Sequence, residues 1–117
     1  MDTRVFLRVE GAALGLAGAG GYFALVGDPL LFVLLVLLPD VSIAGYLAGR
    51  RVGSLAYNVV HGLTLPVALL AWGLWAGHPL ATAGGLVWVA HVGADRAMGL
   101  GLKYDDAPFR ETHLQRI

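Results

Sequence analysis

The sequence predicts an all-α membrane protein: four transmembrane helices in an antiparallel bundle, with both termini on the cytoplasmic side. Three observations predict it. The 117 residues are 57% hydrophobic and only 14% charged, with a mean hydropathy of +0.71, which is too apolar for a soluble domain of this size. Four apolar stretches can be drawn, each near the roughly 20 residues that a helix needs to cross a bilayer. All eight Lys and Arg residues fall on one side of the resulting zigzag, the pattern of cytoplasmic loops and ends.

The predicted spans cover residues 5–26, 30–48, 55–75 and 80–102. Glu10 interrupts the first apolar stretch, so it reads as a span rather than a signal peptide. Gly27-Asp28-Pro29 ends the first span, Gly49-Arg50-Arg51-Val52-Gly53 separates the second from the third, and Gly77-His78-Pro79 precedes the fourth. These are turn residues, and connections so short make successive helices antiparallel neighbours. Arg4 and Arg8 open the first span; Arg50 and Arg51 sit in the middle connection; Arg96, Lys103, Arg110 and Arg116 end or follow the fourth. The other two connections carry no base. Trp72, Trp75 and Tyr22 then fall toward the outer interface as belt aromatics. Gly11, Gly15 and Ala19, and Gly93 with Ala97, have the four-residue spacing of helix contact ridges. Residues 1–102 form the expected transmembrane domain, and 103–117 a cytoplasmic tail.

Composition excludes several classes. A formal net charge of zero gives no electrostatic footprint for nucleic acid. With no cysteine, disulfides and thiolate metal sites are ruled out. The expected partners are the lipid bilayer and, as an open arrangement, further copies of the chain.

Five titratable side chains interrupt the apolar stretches: Glu10, Asp40, His61, His91 and Asp95. A carboxylate or imidazole at bilayer depth is costly unless paired or coordinated, so each marks a functional site by default. The helix rise of about 1.5 Å per residue puts all five in the cytoplasmic half, on four different helices. His91 and Asp95 share a helix face at i, i+4. Pro39, just before Asp40, weakens the local ladder and frees a carbonyl or tilts the helix there. Mixed imidazole and carboxylate ligation suits a divalent ion of the zinc, iron or manganese class. Asp40, His61, His91 and Asp95 are the expected ligands, with Glu10 or Asp95 as catalytic base. Arg96 and Lys103 at the cytoplasmic mouth, with Tyr57, Asn58 and His113, are the expected substrate contacts. Taken singly, a membrane histidine is more often a helix–helix hydrogen-bonding residue; five groups at one depth argue otherwise.

Longer motifs surround these residues: His91-Val-Gly-Ala-Asp95-Arg96, Tyr57-Asn58-x-x-His61, Leu38-Pro39-Asp40, Arg8-Val-Glu10-Gly11, and in the tail Thr112-His113-Leu114. Together they resemble a small bacterial membrane family known as domain of unknown function 4260, over nearly the whole chain. The resemblance implies a four-helix integral protein of the bacterial inner membrane. It implies no activity. It also lifts His113 above a random tail histidine, and the tail is expected to dock over the cytoplasmic mouth.

Three functions fit this reading. One is a metal-dependent hydrolase for a lipid-like or phosphorylated substrate. Another is a module that binds or transports an ion, proton or small solute. The last is an accessory membrane subunit whose polar layer joins its helices.

Overall fold

The computed structural model describes residues 2–102. Among these the chain is all-helical, in four segments. α1 spans Thr3–Leu25. The second segment, Pro29–Ala48, begins as α2 (Pro29–Leu37) and continues as a 3₁₀ helix (Leu38–Ala48). The third, Arg50–Ala76, consists of α3 (Arg50–His61) and α4 (Thr64–Ala76). α5 spans Pro79–Ala97. The second and third segments are long and apolar enough to cross a membrane.

The turn chemistry acts as the sequence predicts. Asp28 caps α2 by accepting from the Leu30 and Leu31 amides at 3.0 and 3.3 Å, ahead of Pro29 in the first turn, where a missing N–H costs nothing. His78 caps α5 likewise, its Nδ1 accepting from the Ala81 amide at 3.1 Å. Gly77 ends α4 in the left-handed conformation, φ 64°, which glycine adopts without a Cβ penalty.

Two prolines reshape what the hydropathy pattern draws as straight spans. Pro39 has no N–H to donate to the turn before it, and the helix tightens to the 3₁₀ form from Leu38 on. Eleven residues is long for this conformation, whose rise of about 2.0 Å per residue stretches the segment. Pro66 stands in the first turn of α4, four residues after Gly62. A helix running through would press the proline ring onto the Gly62 carbonyl. The chain instead breaks at Gly62, which is extended (φ −82°, ψ 171°). The expected third span is therefore two helices, and His61 is the last residue of the first.

α5 is the central helix, buried along most of its length, with α1, α2 and α4 packed around it. α3 packs on the 3₁₀ helix, where Gly53 lies under the Tyr46 ring with no room for a Cβ. The α1–α5 contact is glycine on glycine. A Cβ on Gly93 would strike the backbone of Gly11 and Gly15, and one on Gly18 would lie 2.6 Å from the Leu86 carbonyl. Gly18, not Ala19, continues the ridge that starts at Gly11 and Gly15. Arg8 closes the far end, its Nε–H donating to the Ala97 carbonyl at 2.8 Å.

The outer faces are apolar. Leu16, Leu47 and Trp75 are 75%, 93% and 86% exposed. Trp72 is also exposed, whereas Tyr22 is fully buried. Its ring lies against Phe23 and Phe32 and its hydroxyl donates to the Asp28 carbonyl. Tyr22 thus ties the first connection to the core and is not a belt residue.

Candidate metal centre

Four of the five predicted groups meet. Asp40 comes from the 3₁₀ helix, His61 from the end of α3, and His91 and Asp95 from one face of α5. His91 Nε2 lies 3.2 Å from His61 Nε2, 3.2 Å from Asp40 Oδ1 and 3.3 Å from Asp95 Oδ2. His61 Nε2 lies 3.3 Å from Asp40 Oδ1 and 3.7 Å from Asp95 Oδ2. All four ligand atoms fall within 4.8 Å of one another.

The tautomers follow from the backbone. His91 Nδ1 lies 2.6 Å from the Val36 carbonyl, and His61 Nδ1 lies 3.0 Å from the Tyr57 carbonyl. A carbonyl can only accept, so each Nδ1 carries the proton. Each neutral ring then presents a bare lone pair at Nε2. Pro39 supplies one of these partners: in the 3₁₀ register the Val36 carbonyl would accept from residue 39, and proline has nothing to give. The carbonyl that the sequence predicts to be freed orients a histidine. Tyr57 steadies the other ring, stacked on His61 with centroids 3.7 Å apart and planes 4° from parallel. Trp88 donates to the Val60 carbonyl at 2.6 Å and so fixes the helix break beside His61. Sequence reasoning missed this contact; the signal was Pro66, which calls for a break and hence a carbonyl in need of a donor.

With both rings neutral, four acceptor atoms face one another: two imidazole lone pairs and two carboxylate oxygens. Tetrahedral ligands about 2.0–2.1 Å from a zinc-sized ion are separated from each other by about 3.3 Å. Four of the five separations above, 3.2–3.3 Å, have that spacing, and His61 to Asp95 at 3.7 Å is wider. Backbone carbonyls on the far ring nitrogens are the usual outer support of metal-binding histidines. The donor set and its support both fit a divalent transition ion. One side of the group is open: the Asp40 side chain is 48% exposed, against 3% for His61 and 15% for Asp95.

Glu10 is exposed on α1 and is not one of the four. The buried stripe of α1 holds Gly11, Gly18 and Tyr22, and one residue turns the helix by about 100°, which carries Glu10 off the packed face. Arg96 is half-buried, its Cβ over Gly11. Asn58 is half-buried, and its carbonyl accepts from the Gly62 amide at 2.9 Å. Lys103, His113 and the tail expected to dock lie outside the described residues.

Residues 4–117 match the family model described as Domain of unknown function (DUF4260), and the chain belongs to that family. No curated protein and no solved structure matches it.

Proposed function

We propose that this DUF4260 member is a four-pass integral membrane protein that binds one divalent metal ion on Asp40, His61, His91 and Asp95. The observation that carries this reading is the convergence of two imidazole nitrogens and two carboxylate oxygens within 4.8 Å of one another. A proton on one imidazole would relieve one or two of these contacts. A divalent ion relieves all of them at once.

The membrane part rests on three supports. The outer faces carry large exposed apolar side chains. The 23 residues of α1 reach about 35 Å, enough for a hydrocarbon core of about 30 Å. The Lys and Arg residues gather in sequence at the two ends and in the middle connection, a distribution that favours cytoplasmic termini. A C-terminal reporter should therefore be active in its cytoplasmic form; activity only outside the cytoplasm would overturn the orientation.

We read the centre as hydrolytic. A metal ion there would polarise a carbonyl or phosphoryl oxygen and acidify a bound water. Asp40 borders the open side, so water and substrate would arrive past it. Arg96 carries the positive charge suited to a phosphate or carboxylate near the mouth. A second reading is favoured by the ligand count: four protein ligands complete a tetrahedral shell, as structural sites do. In that form the ion would join the 3₁₀ helix, α3 and α5 without catalysis.

Elemental analysis of the purified protein tests the metal itself. One equivalent of a zinc-, iron- or manganese-class ion is expected, lost in His61→Ala and kept in Glu10→Gln. It should also be released on acidification, because both Nε2 atoms must be unprotonated to bind. Metal-free wild-type protein after purification without chelators would sink the proposal.

A further inference from the structure

A groove of about 510 Å³ runs beside the cluster, walled by Leu35, Leu38, Val60, Leu80, Gly84 and Trp88. This volume is in the ordinary range for ligand sites, about 300–1,000 Å³. It lies between α2 and α4, which both pack on α5. Leu80, Gly84 and Trp88 are spaced four apart, so they form one strip along α5, about 12 Å long. One end of the groove reaches Pro39 and Val60, the sequence neighbours of Asp40 and His61. Trp88, three residues before His91, brings the same end to the cluster along α5. The other end reaches His78 in the connection before α5. Leu38 and Leu80, on its rim, are 59% and 58% exposed, so the groove opens sideways.

Gly84 forms the floor, and its case differs from the neighbouring glycines of α5. Gly85 and Gly93 are required by backbone from another helix, within 2.7 Å of a Cβ in the case of Gly85. A Cβ on Gly84 would meet only the Leu69 side chain at 3.5 Å, an ordinary contact. The space that packing leaves free at Gly84 goes to the groove.

We propose that this groove holds the single hydrocarbon chain of a membrane lipid whose polar end lies at the Asp40, His61, His91 and Asp95 cluster. The inference rests on the metal and membrane readings above and gives them a substrate class. An apolar wall offers such a chain contact and offers a polar solute nothing. The sideways opening admits it from the bilayer, and the end at Pro39 and Val60, next in sequence to Asp40 and His61, sets its polar linkage toward the only end that neighbours a group of potential metal ligands among the described residues.

The test uses a 16-carbon fatty acid with a diazirine at mid-chain, photolysed with the purified full-length protein and mapped by mass spectrometry. Label should concentrate on Leu35, Leu38 and Trp88. Gly84→Trp, which fills the groove, should cut it there at least about tenfold, the low end of what pocket contact with a methylene is worth. Gly84→Leu, a milder filling, should cut it less. Metal content is measured on the same samples and reports separately on the preceding proposal. Label spread evenly over outward residues such as Leu16, Leu47 and Trp75, unchanged in either variant, would overturn the groove while leaving a retained metal standing. Groove label in a protein without metal would keep the groove and sink the metal.

Discussion

Stripping the proposed divalent ion from the purified protein is expected to lower its melting temperature by about 10 °C or more, from ~4 kcal/mol of ligand stabilisation at a thousandfold saturation and ~4 °C per kcal/mol for a chain this size. The reason is in the donor count. Without the ion, His61 and His91 turn bare Nε2 lone pairs toward each other, 3.2 Å apart, and toward two carboxylate oxygens. Their Nδ1 protons are committed to the Val36 and Tyr57 carbonyls, so neither ring can turn its donor inward without orphaning a carbonyl. The site must open or take up protons, and both weaken the packing of α3 and the 3₁₀ helix against α5. The double variant Asp40→Asn/Asp95→Asn separates this account from a general effect of chelators. Each amide brings an N–H donor within reach of an Nε2 and removes a negative charge. The metal-free double variant should therefore melt above the metal-free wild type, and added metal should no longer raise its melting temperature. Equal melts for stripped and loaded wild type, with removal verified, would mean the cluster satisfies itself.

How far the sequence discloses this site depends on the kind of information each residue carries. Asp40, His61, His91 and Asp95 are legible because ionisable groups in apolar segments have few affordable environments. Depth along a helix follows from counting residues. Direction around the helix does not, and Glu10 illustrates the difference: it shares the depth of the others, yet the glycines that face α5 turn it away. The glycine ridge could have supplied that direction, since Gly11 stands next to Glu10. Pro39 was readable as the source of a free carbonyl, though not that His91, 55 residues beyond the Val36 carbonyl, would take it. Pro66 was the overlooked signal. Its clash with the residue 62 carbonyl is local and decidable from the sequence, and it converts one expected span into α3 and α4. That break puts His61 at a helix end, beside Trp88, and sets one wall of the groove. The 3₁₀ form through Ala48 has no comparable signal beyond Pro39. Its close fit to α3 at Gly45 and Gly53 is tertiary and becomes visible only in the fold.

Gly93→Ala is expected to be the most damaging single methyl group in the protein. Its Cβ would fall on the Gly15 amide nitrogen, with the Gly11 carbonyl oxygen at 2.6 Å and the Gly15 Cα at 2.7 Å. All of these are backbone atoms, so no side chain can swing aside; α1 must move away from α5. Overpacking in a tight core costs about 1–3 kcal/mol and sometimes more, and the loss here should lie at or above the upper end. Gly20→Ala is the matched control. Nothing lies within 4 Å of a Cβ there, so that variant should be neutral or up to about 1 kcal/mol more stable through the gain in helix preference. Reversible unfolding in mixed micelles, compared for the two variants, reads the difference. The metal centre should be less affected than the stability. Gly93 is two residues from His91, about 200° around α5, so α1 and the ligands occupy opposite sides of that helix. A Gly93→Ala protein that still folds should retain its metal while unfolding far more readily. If it unfolds no more readily than Gly20→Ala, the close α1–α5 crossing is wrong. If it loses metal in proportion to stability, α1 supports the centre more directly than the geometry of α5 implies.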